Sequence, residues 1–449
     1  MSKYFIWGLG GVGLSFLEKI IDNNLFDSNN FYCVEPNETK RNVFINLGGL
    51  KDHFFIDYIK QENVYSYLSK LDKDDFLFDF AINIKNLDVL KYCLQHGIHY
   101  LTTADSSWNP DPDWISDHQH FLEYSKLRDN SKPGTPTSLY LFGMNPGLVS
   151  CFAKKCIKEI VTYDNSIYVS IHRKQLQRLL NEKKYNFVCK KIKVTDIQEV
   201  DNDNQETFVP FEEDTCYSTW NTWGFYYETI SSPEIAFGNK RRFLSYKDIE
   251  DVDINDLFLS LADCGFEYEE KTYSPQGDVL GHISTHEEVF TIRKYLTYKA
   301  YKPTVHFVYS PCEYAAKSVQ LFKLEEPTNF HLLTKEEIHA GGESVGVIIQ
   351  GKRFKTRYFG NYLDNNDTDE VPTILQVSAS AFSAFKYILM HPNEGLLLPE
   401  DLDEEEMLKI AKDYLKDYIS VQIPKVKMNL GKKKTIWLLS EIKLRLQQF

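Results

Sequence analysis

Tyr4-Phe5-Ile6-Trp7-Gly8-Leu9-Gly10-Gly11-Val12-Gly13 decides how this chain is read. An apolar run of strand type meets glycines spaced G-x-G-x-x-G at Gly8, Gly10 and Gly13. An amphipathic helix is expected from Val12 to Asp22. The first glycine permits the tight turn, the second lets the backbone approach a pyrophosphate, and the third lets helix and strand pack closely. The N-terminus of the helix then points free N–H groups and a positive dipole end at the phosphates. A dinucleotide is the ligand this order implies.

The next segment narrows it. Phe31-Tyr32-Cys33-Val34 reads as a second strand and ends in Glu35. An acidic residue about 20 residues past the turn accepts hydrogen bonds from ribose hydroxyls. It also repels a 2′-phosphate, so NAD is expected rather than NADP.

Strand and helix signals keep alternating to about residue 150. Leu77 to Ile84 reads as a central strand and Leu87 to His96 as a helix that Gly97 ends in the left-handed conformation. His99-Tyr100-Leu101-Thr102 and Leu139-Tyr140-Leu141-Phe142 read as further strands. Asn109 to Trp114 and Ser131 to Pro136 read as loops around one more helix. This alternation specifies a doubly wound parallel sheet of α/β class, a Rossmann domain over residues 1–150. Ligands of such sheets lie at the carboxyl ends of the strands. Those ends are Gly8 to Gly13, Glu35, Asn83, Thr103 to Ser106 and Gly143 to Gly147.

From about residue 160 the pattern changes to short aromatic and β-branched runs, such as Ser166 to Ile171 and Thr304 to Tyr309. They predict an inserted α+β domain over 151–371 with a largely antiparallel sheet. Glu199-Val200-Asp201-Asn202-Asp203-Asn204 reads as an exposed acidic loop. Helical spacing returns in Leu375 to Leu389 and Leu402 to Leu415, and the C-terminal helices, about 372–449, are expected to pack back on the first domain. The basic stretch Lys425 to Lys434 reads as solvated surface.

Bulk properties exclude several classes. The 449 residues allow two or three domains, and 43% hydrophobic and 14% aromatic residues suffice for their cores. Mean hydropathy is −0.39, no run of membrane-spanning length is expected, and no secretory leader is recognised. Eight cysteines without C-x-x-C or zinc spacing read as free, mostly buried thiols of a cytoplasmic protein, with no metal site. A net charge of −13 argues against nucleic acid and is compatible with a cationic substrate.

Three further segments carry side chains suited to chemistry. Gly143-Met144-Asn145-Pro146-Gly147-Leu148 follows a strand and opens a helix, where Asn145 offers a donor and an acceptor. Trp220-Asn221-Thr222-Trp223 precedes Glu228, and a tryptophan face with a nearby carboxylate suits an ammonium group. His286 and Glu288, before the apolar run Val289 to Ile292, share one face if the segment is a strand, as a base and its charge partner would.

Taken together, these segments resemble the bacterial homospermidine synthases, relatives of the saccharopine dehydrogenases. The matching stretches are Gly8 to Gly13, Gly143 to Ser150, Asn221-Thr222-Trp223, Thr285 to Glu288, Tyr301 to Thr304 with Tyr309 to Cys312, Tyr358-Phe359-Gly360, Leu375 to Ser378 and His391 to Gly395. The resemblance implies an NAD-dependent condensation of two diamines such as putrescine, with loss of ammonia and NAD acting as a hydride-borrowing prosthetic group in a homodimer. It implies that Trp223 stacks on the cationic intermediate, that Glu228 and Glu288 hold amines, and that His286 assists proton transfer. Asn145 would line the nicotinamide. Cofactor contacts fall on Gly8, Gly10, Gly11, Val12, Gly13, Glu35, Asn83, Thr103, Asn145 and Pro146.

The chain departs from the family at Asn83 and Ser106, where carboxylates are expected, and in Lys193 to Gln198, where only Asp196 and Gln198 match the acidic pattern. Two alternatives accompany this reading. One is a saccharopine dehydrogenase-like reductase joining an amine to a carbonyl compound, which needs a cation for the substrate carboxylate. The other is an NAD-binding dimer without turnover.

Overall fold

The computed structural model describes residues 2–108, 116–165, 173–238, 258–322 and 326–426, and the backbone of 249–253. The loop expected from Asn109, the strand expected from Ser166, and the basic stretch beyond Val426 lie outside them. The chain divides into two compact units. One is Met1–Cys151 with Ile374–Tyr414, and the other is Phe152–Thr373 with the chain from Leu415.

In the first unit, seven strands form a parallel sheet. Their order is Leu396–Leu397, Ser138–Leu139, His99–Thr102, Phe76–Asp79, Tyr4–Trp7, Phe31–Val34, Phe54–Phe55. This is the doubly wound fold expected from the sequence, and its strand order reverses beside Tyr4–Trp7. Aromatic side chains tie the central strands together. The Tyr4 ring stacks on Phe31 at 4.8 Å and Phe76 at 4.9 Å, and Phe385 meets Phe76 and Phe78 edge-on. Removing a ring from such a cluster, as in Phe385→Ala, costs about 3–5 kcal/mol.

Two strands end earlier than their apolar runs. The strand at Phe76 stops at Asp79, and Asn83 takes a left-handed φ of 59°. The strand at Ser138 stops at Leu139, and Leu141 has φ 66°. After Leu139 the residues Tyr140 to Phe142 stay buried although the backbone has left the extended region, whereas after Asp79 the apolar run reaches the surface at Ile82, so apolar composition alone overstates strand length. The helix Asn86–His96 ends at Gly97 with φ 70°, as its sequence demanded.

Pro372–Met390 is long and apolar enough, by length and composition, to cross a membrane, contrary to the sequence expectation; 67% of its apolar window is buried within the protein. Its Phe382 and Phe385 pack on Phe16, and Ser378 hydrogen-bonds Ser15 at 2.7 Å. These contacts account for its apolar character.

The second unit is built on a sheet whose centre is Val194–Asp203. That strand pairs in parallel with Thr304–Ser310 and antiparallel with Gly342–Gly351, which continues to Arg357–Asp364 and Ile419–Gln422. On the other side lie Glu234–Ala236, Phe258–Leu261 and Ile249–Asp253, and the hairpin Glu269–Ser274 with Gly277–Ser284 joins Thr304–Ser310. Antiparallel pairs dominate, as expected. The strand Ile419–Gln422 belongs to this sheet, so the chain after Tyr414 does not add a helix to the first unit there.

The acidic run from Glu199 is corrected outright. It is not an exposed loop but the second half of the buried central strand. A strand with both faces covered is expected to be continuously apolar. Here alternate positions carry carboxylates, and that hides the strand from a hydrophobicity reading.

Candidate active site

The glycine turn shows why each glycine is required. Gly8 adopts φ +84°, and a Cβ there would stand 2.9 Å from the Phe80 carbonyl oxygen. A Cβ on Gly13 would stand 2.1 Å from the Gly8 carbonyl oxygen, and one on Gly11 would stand 2.5 Å from Ile374 Cδ1. Gly10 differs, because a Cβ there would meet nothing within 4 Å. Its exposed side is the open approach that a pyrophosphate needs. The helix Gly11–Asp22 has no side-chain cap, so the orphan N–H groups of its first turn around Val12 remain available to an anion.

Glu35 is buried at the end of its strand. Its Oε2 accepts from the Leu9 N–H at 2.8 Å and its Oε1 from the Asn37 N–H at 2.9 Å. The carboxylate is thus fixed to the glycine turn, and each oxygen retains a lone pair for a hydroxyl donor. Gly147 has φ +136°, and the Gly143 N–H donates to the Pro146 carbonyl at 2.6 Å. This closes the loop that carries Asn145 ahead of the helix Leu148–Tyr163. A Cβ on Gly143 would come within 3.3 Å of the Thr103 Cβ. The cofactor candidates of the first unit therefore gather at the carboxyl ends of its strands, with Asn83 exposed among them.

The segment Thr103 to Ser106 supplies no open carboxylate. Asp105 Oδ1 accepts from Tyr140 Oη at 2.6 Å, and Oδ2 pairs with His120 Nδ1 at 3.0 Å. Ser106 Oγ donates to the Ile84 carbonyl at 2.7 Å, and its N–H bonds Asn86 Oδ1 at 2.7 Å. Both side chains hold the loop to the sheet.

In the second unit one face of the central strand is acidic. Glu199, Asp201 and Asp203 alternate along it and all are buried. Register puts Phe307 and Val347 beside Glu199, Tyr309 and Val345 beside Asp201, and Glu343 beside Asp203. His286 Nδ1 lies 2.7 Å from Glu288 Oε2 and 3.3 Å from Glu199 Oε1, and its ring tilts over Phe307 at 4.5 Å. Glu228 accepts from Ser284 Oγ at 3.1 Å. His286 and Glu288 do come together, but not on a strand. Glu288 opens the helix Glu288–Leu296, and Val289 to Ile292 form its first turns. Adjacent residues at a helix start converge in space, and the dipole there favours a carboxylate.

Burial pushes Glu199 and Glu228 up to about 7 and Asp203 up to about 6. Burial with the Asp201 and Asp203 carboxylates raises Glu343 well above the usual range. Burial alone would lower His286, but the Glu199 and Glu288 carboxylates outweigh it and hold the imidazole well above its ordinary value. Tyr309 is held protonated by burial and by Asp201, Asp203, Glu343 and Glu228. Glu199 is wholly buried, and the His286 imidazole faces its Oε1 at 3.3 Å as an ion pair. A carboxylate oxygen has two lone pairs, so the group has capacity for a further donor. The ligand atoms of Glu199, His286 and Glu288 lie within 4.8 Å of one another, a cluster that a metal ion would also fit and that linear spacing could not reveal.

The two tryptophans separate. Trp223 stacks on Phe330 at 4.1 Å and on Tyr227 at 5.8 Å. Trp220 donates from Nε1 to Tyr309 Oη at 3.2 Å, and its ring lies against Gly224, where a Cβ would stand 2.8 Å away. Trp220 thus touches the acidic face through Tyr309. Sequence reasoning missed Glu199, Asp201, Asp203, Glu343 and Tyr309. The one available signal was the period of two in Glu199, Asp201 and Asp203, which is that of a strand face.

These features define a nucleotide-binding α/β unit and a separate unit with a buried anionic face. Residues 5–131 match the family model of the saccharopine dehydrogenase NADP binding domain. The resemblance to homospermidine synthases is borne out over most of the chain. The homospermidine synthase of Blastochloris viridis is 24% identical, covering 92% of this chain and 90% of that protein. That of Mesorhizobium japonicum is 22% identical, covering 91% and 87%. The structure of the Legionella pneumophila homospermidine synthase in complex with NAD superposes with a TM-score of 0.81, at 23% identity over 94% of this chain and 92% of that one. Saccharopine dehydrogenase (L-Glu forming) from Saccharomyces cerevisiae shares the fold more distantly, with a TM-score of 0.50 and 12% identity over 94% of this chain and 100% of that one.

Proposed function

We propose that this protein is an NAD-dependent enzyme that condenses two diamines into a triamine with release of ammonia, as its similarity to homospermidine synthases suggests. The observation that carries the reading is the buried cluster of Glu199, Glu228 and Glu288 around His286, three carboxylates against one imidazole. A carboxylate substrate would be repelled there, which disfavours the amine–carbonyl reductase. An ammonium group supplies further donors and the balancing positive charge.

The residues of the first unit fit a dinucleotide. The backbone of Gly8, Gly10, Gly11, Val12 and Gly13 would hold the pyrophosphate, and Glu35 the ribose hydroxyls. Asn83, Thr103, Asn145 and Pro146 would border the nicotinamide. Although the matching family model is named for NADP, Glu35 puts negative charge where a 2′-phosphate would lie, so NAD is the form expected. The cofactor supplies reversible hydride acceptance when bound.

The chain's own residues do the rest. Glu199, Glu228 and Glu288 bind ammonium groups and orient the amine chain. His286, with Nδ1 fixed by Glu288, presents its other nitrogen for moving protons on and off the reacting amine. Trp220 and Tyr309 offer an aromatic and hydroxyl wall to the iminium cation formed from the substrate.

The test is incubation of the purified protein with NAD and 1,4-diaminobutane. Equimolar triamine and ammonia, measured by mass spectrometry and an ammonia assay, are expected without accumulation of NADH. Steady NADH production, or no triamine from any diamine offered, would sink the proposal.

A further inference from the structure

Asp79 closes the strand Phe76–Asp79 in the first unit and is buried. Three donors converge on its carboxylate. Oδ2 accepts from Tyr100 Oη at 2.8 Å and from Asn86 Nδ2 at 2.9 Å, and Oδ1 accepts from the Ala81 N–H at 3.3 Å. Asn86 opens the helix Asn86–His96 and passes the contact on. Its Oδ1 accepts from the Ser106 N–H at 2.7 Å, and Ser106 Oγ stands 2.8 Å from the same oxygen and 2.7 Å from the Ile84 carbonyl. The Asn86 N–H donates in return to the Ser106 carbonyl at 3.3 Å. A backbone N–H can only donate, so the Asn86 amide is held with its oxygen toward Ser106 and its nitrogen toward Asp79.

These bonds join the two loops that carry cofactor candidates. Residues 80–85 lead from Asp79 to Asn86 and include Asn83, exposed and at a left-handed φ of 59°. Residues 103–106 follow the strand His99–Thr102 and include Thr103. The first loop also starts against the glycine turn. The Phe80 N–H donates to the Trp7 carbonyl at 2.8 Å, its ring packs on Phe16 at 4.9 Å, and a Cβ on Gly8 would stand 2.9 Å from its carbonyl oxygen. One buried carboxylate thus links the glycine turn with both loops beside it. At Ser106, where the family resemblance led to the expectation of a carboxylate, the hydroxyl is committed to this link.

We propose that Asp79 and Asn86 are positioning residues for the nicotinamide cofactor, holding the loops of Asn83 and Thr103 in the arrangement the dinucleotide needs. The inference rests on the placement of the cofactor at these strand ends and not on the amine chemistry. The link makes cofactor binding depend on pH. Burial pushes Asp79 up to about 6 against the pull of its three donors. Among the described residues, the titratable groups facing it are Tyr100 on the neighbouring strand and Cys93 on the helix, and burial together with the Asp79 charge raises both, so they stay protonated. A protonated Asp79 must itself donate to groups that already donate to it, and a hydrogen bond is lost. Ionised Asp79 is therefore the form that holds the loops.

Calorimetric titration with NAD, read beside thermal melts, tests this without turnover. Apparent affinity scales with the fraction of protein in the competent form, so wild-type affinity should fall by up to about tenfold from pH 7.5 to pH 5. Asp79→Asn should weaken NAD by at least about fivefold at the upper pH, the scale of one hydrogen bond, and should remove most of the pH dependence. Ser106→Ala should weaken NAD by about threefold and keep the pH dependence. Phe385→Ala, which removes a ring packed on Phe76 and Phe78 of the same sheet, should lower the melting midpoint yet leave NAD affinity within about twofold. A wild-type affinity that stays constant across this pH range overturns the inference even if no variant folds. So does an Asp79→Asn protein that binds NAD as the wild type does. A loss of affinity in Phe385→Ala as large as that in Asp79→Asn would mark a merely structural role and overturn it too. Failure of the wild type to bind NAD at any pH overturns the placement of the cofactor, and this inference with it.

Discussion

His286 holds its Nδ1 2.7 Å from the Oε2 of Glu288, the first residue of the helix that follows it. The contact sets which ring nitrogen is committed to the protein and which is left for chemistry. General acid–base groups contribute about 10²–10⁴ in rate, so His286→Gln should lower kcat by at least about a hundredfold. Glu288→Gln leaves the imidazole in place but removes one of the two carboxylates that raise it. The pH limb that reports the imidazolium in kcat/KM should then move to lower pH. An unmoved limb would show that His286 does not titrate in the reaction.

The buried acids make stability depend on pH in one direction. Burial lifts Glu199 and Glu228 to about 7 and Asp203 to about 6 in the folded chain. Unfolded carboxyls titrate near about 4, so between about pH 4 and 7 the folded form binds more protons and stability falls as pH rises. His286 acts with the same sign, because its folded value is raised and its contribution is lost as pH climbs through that value. The thermal midpoint without amine should therefore drop from pH 5.5 to 8. Ligand at a hundred times its Kd adds about 2.7 kcal/mol. Because binding an ammonium needs ionised carboxylates, the midpoint gain from 1,4-diaminobutane, measured at a fixed amine concentration, should be larger at pH 8 than at pH 5.5. A gain independent of pH would separate the amine from these carboxylates.

The nucleotide half of the molecule was legible because its constraints are local. Gly8, Gly13 and Glu35 act within one consecutive strand–turn–helix–strand unit, so spacing along the chain reports them. The acidic half was not, because its parts come from Val194–Asp203, Gly342–Gly351, Thr304–Ser310 and the loop at His286, which only the sheet brings together. Its strongest local signal was misread. Carboxylates at Glu199, Asp201 and Asp203 suggested solvent by composition, while their period of two suggested a strand face. Composition prevailed because charges are seldom buried without partners. Here Glu199 meets His286 and Asp203 meets Thr219 and Gln205, partners supplied from distant parts of the chain, so composition alone misjudged the strand.

Trp220 and Trp223 lie three residues apart and should respond differently. Trp220 is joined to Tyr309, which is flanked by Asp201, whereas Trp223 spends a ring face on Phe330. A tryptophan facing a desolvated cation is worth about 0.5–2 kcal/mol, so Trp220→Leu should raise KM for the diamine by up to about thirtyfold. Trp223→Leu should act mainly on stability, since aromatic pairs contribute about 0.5–1.5 kcal/mol beyond their buried area. Steady-state kinetics beside thermal melts of both variants decide the matter. A larger kinetic defect in Trp223→Leu would return the stacking role to the residue that the resemblance assigned it.

Gly10 and Gly13 separate cofactor binding from folding. A Cβ on Gly13 would sit 2.1 Å from the Gly8 carbonyl oxygen, a backbone atom that cannot step aside without opening the turn. Gly13→Ala should destabilise the first unit by about 1–3 kcal/mol, the usual cost of overpacking, and lose the cofactor with it. Gly10 has an ordinary φ of −67°, and its Cβ would meet no protein atom within 4 Å. Gly10→Ala should therefore melt as the wild type does. The added methyl would still occupy the approach of the pyrophosphate, and NAD affinity should fall by at least about tenfold, or about 1.4 kcal/mol. Fluorescence titration with NADH beside a melting curve reads both effects. Unchanged affinity in Gly10→Ala would place the phosphates elsewhere than on this turn.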